Sequence, residues 1–211
     1  MIDKDVLTNL YYTQRLSMTQ IAERVSCSLS QVVYWMNKYG LARRSRSEAV
    51  YARVHPDGDP FSIKPLKTAR ARALFNLAVG LYIGEGSKSR ANEVTLTSVD
   101  PQIQRIFVRF LREICGVDSV DLVVRVLTYA DADCGVVKRY WSEALAVSPQ
   151  QVRIFVKSAH SRSQRAFASR YYGTAQVSLY NTVLARQMLA WCENALTKFG
   201  EPGYNPPRLP A

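Results

Sequence analysis

The sequence predicts an α+β fold in two parts: a small all-α domain, then a larger domain in which helices and strands alternate. Three observations carry that prediction. Apolar residues recur at spacings of three and four through residues 4–40, as in short amphipathic helices. From residue 94 onward, period-two strand patterns alternate with helix patterns. Between the two, VHPDGDPFSIKP (54–65) places three prolines and a glycine in twelve residues, the composition of a linker. The expected organisation is residues 1–50 as the helical domain, 51–66 as the linker and 67–200 as the α+β domain. The segment 201–211, with four prolines, is expected as an extended tail.

Charge narrows the function. Lys and Arg number 28 against 17 Asp and Glu, a net +11. So basic a chain is expected to meet a polyanion, nucleic acid first, with a generic basic surface as the alternative. The excess is uneven. Residues 1–60 hold eight basic and six acidic side chains, and residues 61–211 the other twenty and eleven. Cys27, Cys115, Cys134 and Cys192 form no CxxC pair, and His55 and His160 are the only histidines. Neither a zinc site nor a histidine-based triad is expected. No apolar run reaches the roughly 18 residues of a membrane span. The opening MIDKDVLTNL lacks the layout of a signal peptide. The expectation is a cytoplasmic, reduced protein with no membrane partner.

In the first domain, Val6, Leu10 and Tyr11 form one apolar stripe. Ser17 caps a second helix bearing Met18, Ile21, Ala22 and Val25, and Ser28 caps a third that Gly40 ends. Val32, Trp35, Met36 and Tyr39 share one face of that third helix. Residues 16–40 resemble the helix-turn-helix of transposases, resolvases and many bacterial regulators. A short turn that sets the third helix across the second lets its N-terminal face enter a major groove. Ser30, Gln31 and Tyr34 are then the candidates for base edges, with Lys38 near phosphate. Arg43, Arg44 and Arg46 read as a basic arm along a phosphate track or minor groove. A three-helix module that packs against protein is the alternative.

The most informative stretch is LFNLAVGLYIGEGSKSR, residues 74–90. Leu74, Leu77, Ala78, Leu81 and Tyr82 follow helical spacing, and Asn76, Gly80 and Gly84 line a second face four apart. Glycine inside a helix costs about 1 kcal/mol relative to alanine, so two of them suggest a close backbone neighbour. Glu85 then ends a helix that reads as buried, where a carboxylate needs a cationic partner. The Walker A and dinucleotide fingerprints both fail on spacing. Gly80 to Gly86 does resemble the signature helix of the LAGLIDADG homing endonuclease family, G-[LF]-[IL]-x-[AG]-[DE]-G. VTLTSVDPQIQRIFVRFLREICGV (94–117) resembles the strand, S/T-x-D-P turn and helix that follow in that family. The resemblance covers residues 70–198. It implies a saddle of antiparallel strands backed by helices, a homodimer joined through Asn76, Gly80 and Gly84, and Mg²⁺ held by Glu85 and Gly84. Ile83 stands where the family carries its first acidic position, and the polar link 87–92 displaces the strand that follows. A helix-terminal carboxylate satisfied by Lys88 or Arg90 is the alternative reading of Glu85.

Residues 144–192 contain no Asp or Glu. Alternation in QVRIFVKSA puts Arg153, Phe155 and Lys157 on one strand face, and YGTAQVSLYN groups Thr174, Gln176, Ser178 and Tyr180. Paired as a two-stranded ribbon, Arg153, Lys157, Gln176 and Ser178 have the chemistry to read a major groove. Arg162, Arg165 and Arg170 in the connecting loop, with Lys88 and Arg90, would contact phosphate. A solvated basic sheet face is the plain alternative. By resemblance, Lys157 is a candidate for the family's basic residue near the scissile phosphate. The expected function is site-specific, divalent-metal-dependent cleavage of double-stranded DNA by a homodimer. A non-cleaving sequence-specific DNA-binding protein on the same fold is the alternative.

Overall fold

The computed structural model describes residues 2–90, 92–130, 132–157 and 172–200. The chain divides into two compact units, Met1–Pro60 and Phe61–Ala211.

In the first unit, α1 (Lys4–Thr8) runs into a π-helical turn at Asn9–Thr13. The helices α2 (Met18–Arg24), α3 (Leu29–Lys38) and α4 (Arg46–Val54) follow. Their starts are fixed chemically: Ser17, Ser28 and Ser45 each close a capping box with Gln20, Gln31 and Glu48. Gly40, at φ +65°, ends α3. Leu7, Leu10, Tyr11, Ile21, Ala22, Val32 and Met36 form the core. Val6, expected in the first stripe, is 48% exposed. Leu7 replaces it because, with Leu10 and Tyr11 turned inward, the residue three and four positions earlier shares their face. The segment read as a linker begins as helix, since α4 continues to Val54.

The second unit runs α5 (Ala69–Glu85), β1 (Glu93–Ser98), α6 (Pro101–Glu113), β2 (Val123–Tyr129) and α7 (Cys134–Leu145). It finishes with β3 (Val152–Lys157), β4 (Thr174–Tyr180) and α8 (Thr182–Phe199). Asp100 caps α6 by accepting from the Gln102 N–H at 2.7 Å, with Pro101 at the first helical position. The four strands form one sheet in the order β1-β4-β2-β3. Strand β4 is antiparallel to β1 and to β2, whereas β2 and β3 are parallel. The sheet is therefore mixed, not the antiparallel saddle expected, and β3 and β4 do not pair as a ribbon. The cause is α7. A helical crossover returns the chain to the starting end of β2, so the next strand runs parallel to it.

One sheet face carries Val94, Leu96, Val124, Val126, Val152, Ala175, Val177 and Leu179. It joins Tyr82 of α5, Phe107 and Phe110 of α6, Trp141 of α7 and Met188 of α8 in a single core. Gln104 is a polar residue within it: wholly buried, it donates to the Leu96 and Ala175 carbonyls at 3.1 and 2.7 Å, joining α6 to β1 and β4. Among the described residues no helix is long and apolar enough to cross a membrane.

Candidate nucleic-acid interface

The other sheet face is assembled by register. Parallel pairing sets Arg125 beside Arg153, Leu127 beside Phe155 and Tyr129 beside Lys157. Across β4, Arg125 faces Gln176 and Leu127 faces Thr174, and Gln176 in turn faces Thr97 of β1. Arg153, Phe155, Lys157 and Leu127 are exposed, and Arg125, Gln176, Thr174, Thr97 and Tyr129 are half-buried. The face closes towards β1, where Thr95 and Ser178 are fully buried and the Thr95 hydroxyl bonds Ser178 at 2.8 Å. Ser178 is thus a structural residue and not a DNA contact. The Arg125 guanidinium lies 5.6 Å from the Tyr180 ring centroid. Arg125, Leu127 and Tyr129 were missed by sequence reasoning, although VVRVLTY carries the same alternation that placed Arg153 and Lys157. Arg162, Arg165 and Arg170 lie outside the described residues.

Much of the basic charge is structural. Arg105 donates to the Ala144 carbonyl at 2.6 Å, and Arg112 donates to Leu145 and Ala146 at 3.1 and 2.8 Å, so α6 caps the end of α7. In the first unit, Arg44 turns inward. Its guanidinium donates to the carbonyls of Arg15 and Leu16 at 3.2 Å and to that of Tyr11, and stacks 4.2 Å from the Tyr11 ring. Arg44 is therefore removed from the DNA-contact set. Nor do Arg43 to Arg46 form an extended arm, because Ser45 is the N-cap of α4. Arg43 and Arg46 remain exposed.

On α3, Ser30, Gln31, Tyr34 and Lys38 are all exposed, Tyr34 by 56%. Gln31 also accepts the Ser28 N–H at 3.1 Å within its capping box. The Lys38 ammonium lies 4.7 Å from the Trp35 ring centroid. These candidates share the outward face of the helix, Ser30 and Gln31 in its first turn and Lys38 in its last, while Val32 and Met36 face the core.

The end of α5 differs from its sequence reading. Glu85 is exposed rather than buried, and among the described residues it makes no ion pair. The expected neutralisers are engaged elsewhere. The Lys88 ammonium donates to the carbonyls of Tyr82, Ile83 and Gly86 at 3.2, 2.9 and 3.0 Å, capping the helix. Arg90 stands 3.7 Å from Glu93. Asn76, Gly80 and Gly84 share an exposed stripe, and a Cβ built at either glycine would meet nothing within 4 Å. The close backbone neighbour expected there is not found among the described residues. A trace of the displaced first hairpin survives: Gly86 bridges Leu96 antiparallel, and the Ser87 N–H donates to the Thr95 carbonyl at 2.9 Å.

Lys157 is not brought to Glu85. Gly86 adjoins β1 on one side of the sheet and Lys157 ends β3 on the opposite edge. Four spacings of about 4.8 Å separate them, or about 19 Å across the sheet. The two cannot share one site within a single chain. No protein-family model, curated protein or solved structure significantly matches this chain.

Proposed function

We propose that this protein binds double-stranded DNA site-specifically and, as a homodimer of LAGLIDADG type, cleaves it. The observation that carries the reading is Glu85: an exposed carboxylate with no ion-pair partner among the described residues, at the end of a helix whose Gly80–Gly84 stripe is open. The same unit carries a sheet face bearing Arg125, Arg153 and Lys157. On this reading the sheet face and α3 position the duplex, and two α5 helices meet through Asn76, Gly80 and Gly84. One chain offers a single carboxylate at the helix end, and among the described residues no group of three or more metal-ligating side chains occurs. The residues therefore fit Mg²⁺ where a second copy adds its own Glu85 and phosphate and water supply the other oxygens, with the Gly84 carbonyl within the same helix end. When bound there, a divalent ion would supply a lowered pKa for the attacking water and positive charge against the leaving 3′-oxygen.

The second reading is a DNA-binding protein without cleavage, such as a transcription regulator. It is favoured by Lys88, whose fixed ammonium already meets three carbonyls at the helix end where a metal would add more positive charge. The Glu85→Gln variant decides between them. On the nuclease reading, Mg²⁺-dependent cleavage of selected duplexes disappears while binding in metal-free buffer persists. If the wild type binds those duplexes and leaves them intact, the second reading stands. Full cleavage by Glu85→Gln removes Glu85 as the metal ligand.

A further inference from the structure

The open sheet face contains an apolar step inside a basic frame. Leu127 and Phe155 are direct neighbours in the β2–β3 register and are each 48% exposed. On one side the next pair in register is Arg125 and Arg153, and on the other Tyr129 and Lys157. Thr174 completes the row across β4. Two large apolar side chains held in water between cations are poorly placed for a single chain in solution. They are well placed against a duplex, because the major groove presents one apolar group, the thymine 5-methyl, beside its donors and acceptors. The three cations around the pair complement phosphate, and neither row beside it carries an acid.

We propose that Leu127 and Phe155 are specificity-determining residues that read thymine methyl groups in the target duplex. This inference rests on the DNA-binding reading above but is independent of cleavage. The arginine rows then bracket the thymine contacts, with Gln176 beside Arg125 able to bond an adenine edge.

The test uses the full chain and a duplex enriched by it from a randomised library. Each thymine of that duplex is replaced in turn by deoxyuridine, which removes only the methyl group. At one or two positions, binding should weaken about fourfold per methyl. Leu127→Ala and Phe155→Ala should bind the thymine and deoxyuridine duplexes equally at those positions. Both side chains are half in solvent, and the wild-type measurement stands even if a variant fails to fold. Wild type that binds tightly but tolerates deoxyuridine everywhere refutes this assignment and leaves the DNA reading intact. Equal methyl discrimination by folded variants and wild type also refutes it. Failure to enrich any duplex refutes the DNA reading and this inference with it.

Discussion

Arg44→Ala should destabilise the first unit rather than merely weaken DNA contact. The side chain donates to the carbonyls of Tyr11, Arg15 and Leu16 and stacks on the Tyr11 ring. Charged hydrogen bonds contribute about 1.5–3 kcal/mol each when their partners are left buried. Arg44 is only half-buried, so water replaces part of this, and a net loss of about 3 kcal/mol follows. A unit of about 60 residues has about 3–9 kcal/mol in total, so at least a third of its stability is at stake. Hydrogen exchange followed peptide by peptide in the full chain is the assay. The slowest amides of α2 and α3 should exchange about 100-fold faster, while β2 and β4 are unchanged. Arg43→Ala, altering an exposed neighbour, should leave exchange as it was. Unchanged protection in Arg44→Ala, coupled with weaker DNA binding, would return Arg44 to the phosphate track and refute the structural assignment.

DNA binding should weaken with salt, and Arg153→Ala should reduce the log–log slope by about 0.9 if its guanidinium meets one phosphate. Affinity titrations at several salt concentrations read this directly, and an unaltered slope removes Arg153 from the interface. Gly86→Ala should destabilise the second unit by about 1–3 kcal/mol. A Cβ there would meet the Tyr82 carbonyl at 2.4 Å and its ring at 2.5 Å. Gly80→Ala meets nothing in its own chain and should stabilise the helix by about 1 kcal/mol, while Gly80→Leu should shift a dimer towards monomer in sedimentation. Burial pushes the Cys115 thiol from 9.0 up to about 12. The folded state then holds a proton that the unfolded chain releases, so stability should fall as pH rises between about 9 and 12. Cys115→Ala should lessen that slope in urea titrations across this range, the remainder coming from Cys192 and Tyr82, which burial also pushes up.

Local chemistry was legible and long-range pairing was not. The caps at Ser17 and Ser28 stand where the sequence placed them, because each depends only on atoms within three residues. The alternation of helices and strands from α5 to α8 was legible from periodicity together with the family resemblance over residues 94–117. Alternation also sorted Arg153, Phe155 and Lys157 correctly onto one face, but it cannot name the neighbouring strand. Strand β2 lies between β3 and β4, and its parallel pairing with β3 follows from the α7 crossover. Counting charges along the chain misled at Arg44, Lys88, Arg105 and Arg112. Arg44, Arg105 and Arg112 donate to backbone carbonyls of residues brought near by folding and Lys88 to those of the adjoining helix end, and a sequence gives no sign of which carbonyls need partners.

The end of α5 holds the clearest sign that stability alone did not choose its residues. A helix C-terminus carries about −0.5 of a charge, which favours an ammonium and disfavours a carboxylate. Lys88 fits that rule and occupies the terminus. Glu85, on the last turn of the same helix, breaks it, and makes no ion pair with Lys88 or Arg90 that would offset the cost. Glu85→Gln should therefore raise the melting temperature slightly, the effect of removing about 0.3–1 kcal/mol of unfavourable charge. On the nuclease reading, such a carboxylate would meet a cationic group supplied from outside the isolated chain. A divalent ion shared with a second Glu85 is such a group, and an arginine of a partner protein is another. Adding Mg²⁺ to wild type and to Glu85→Gln in the presence of selected duplex separates them. An ion-dependent rise in melting temperature confined to wild type identifies the metal, and the same rise in both variants assigns the effect to the duplex alone.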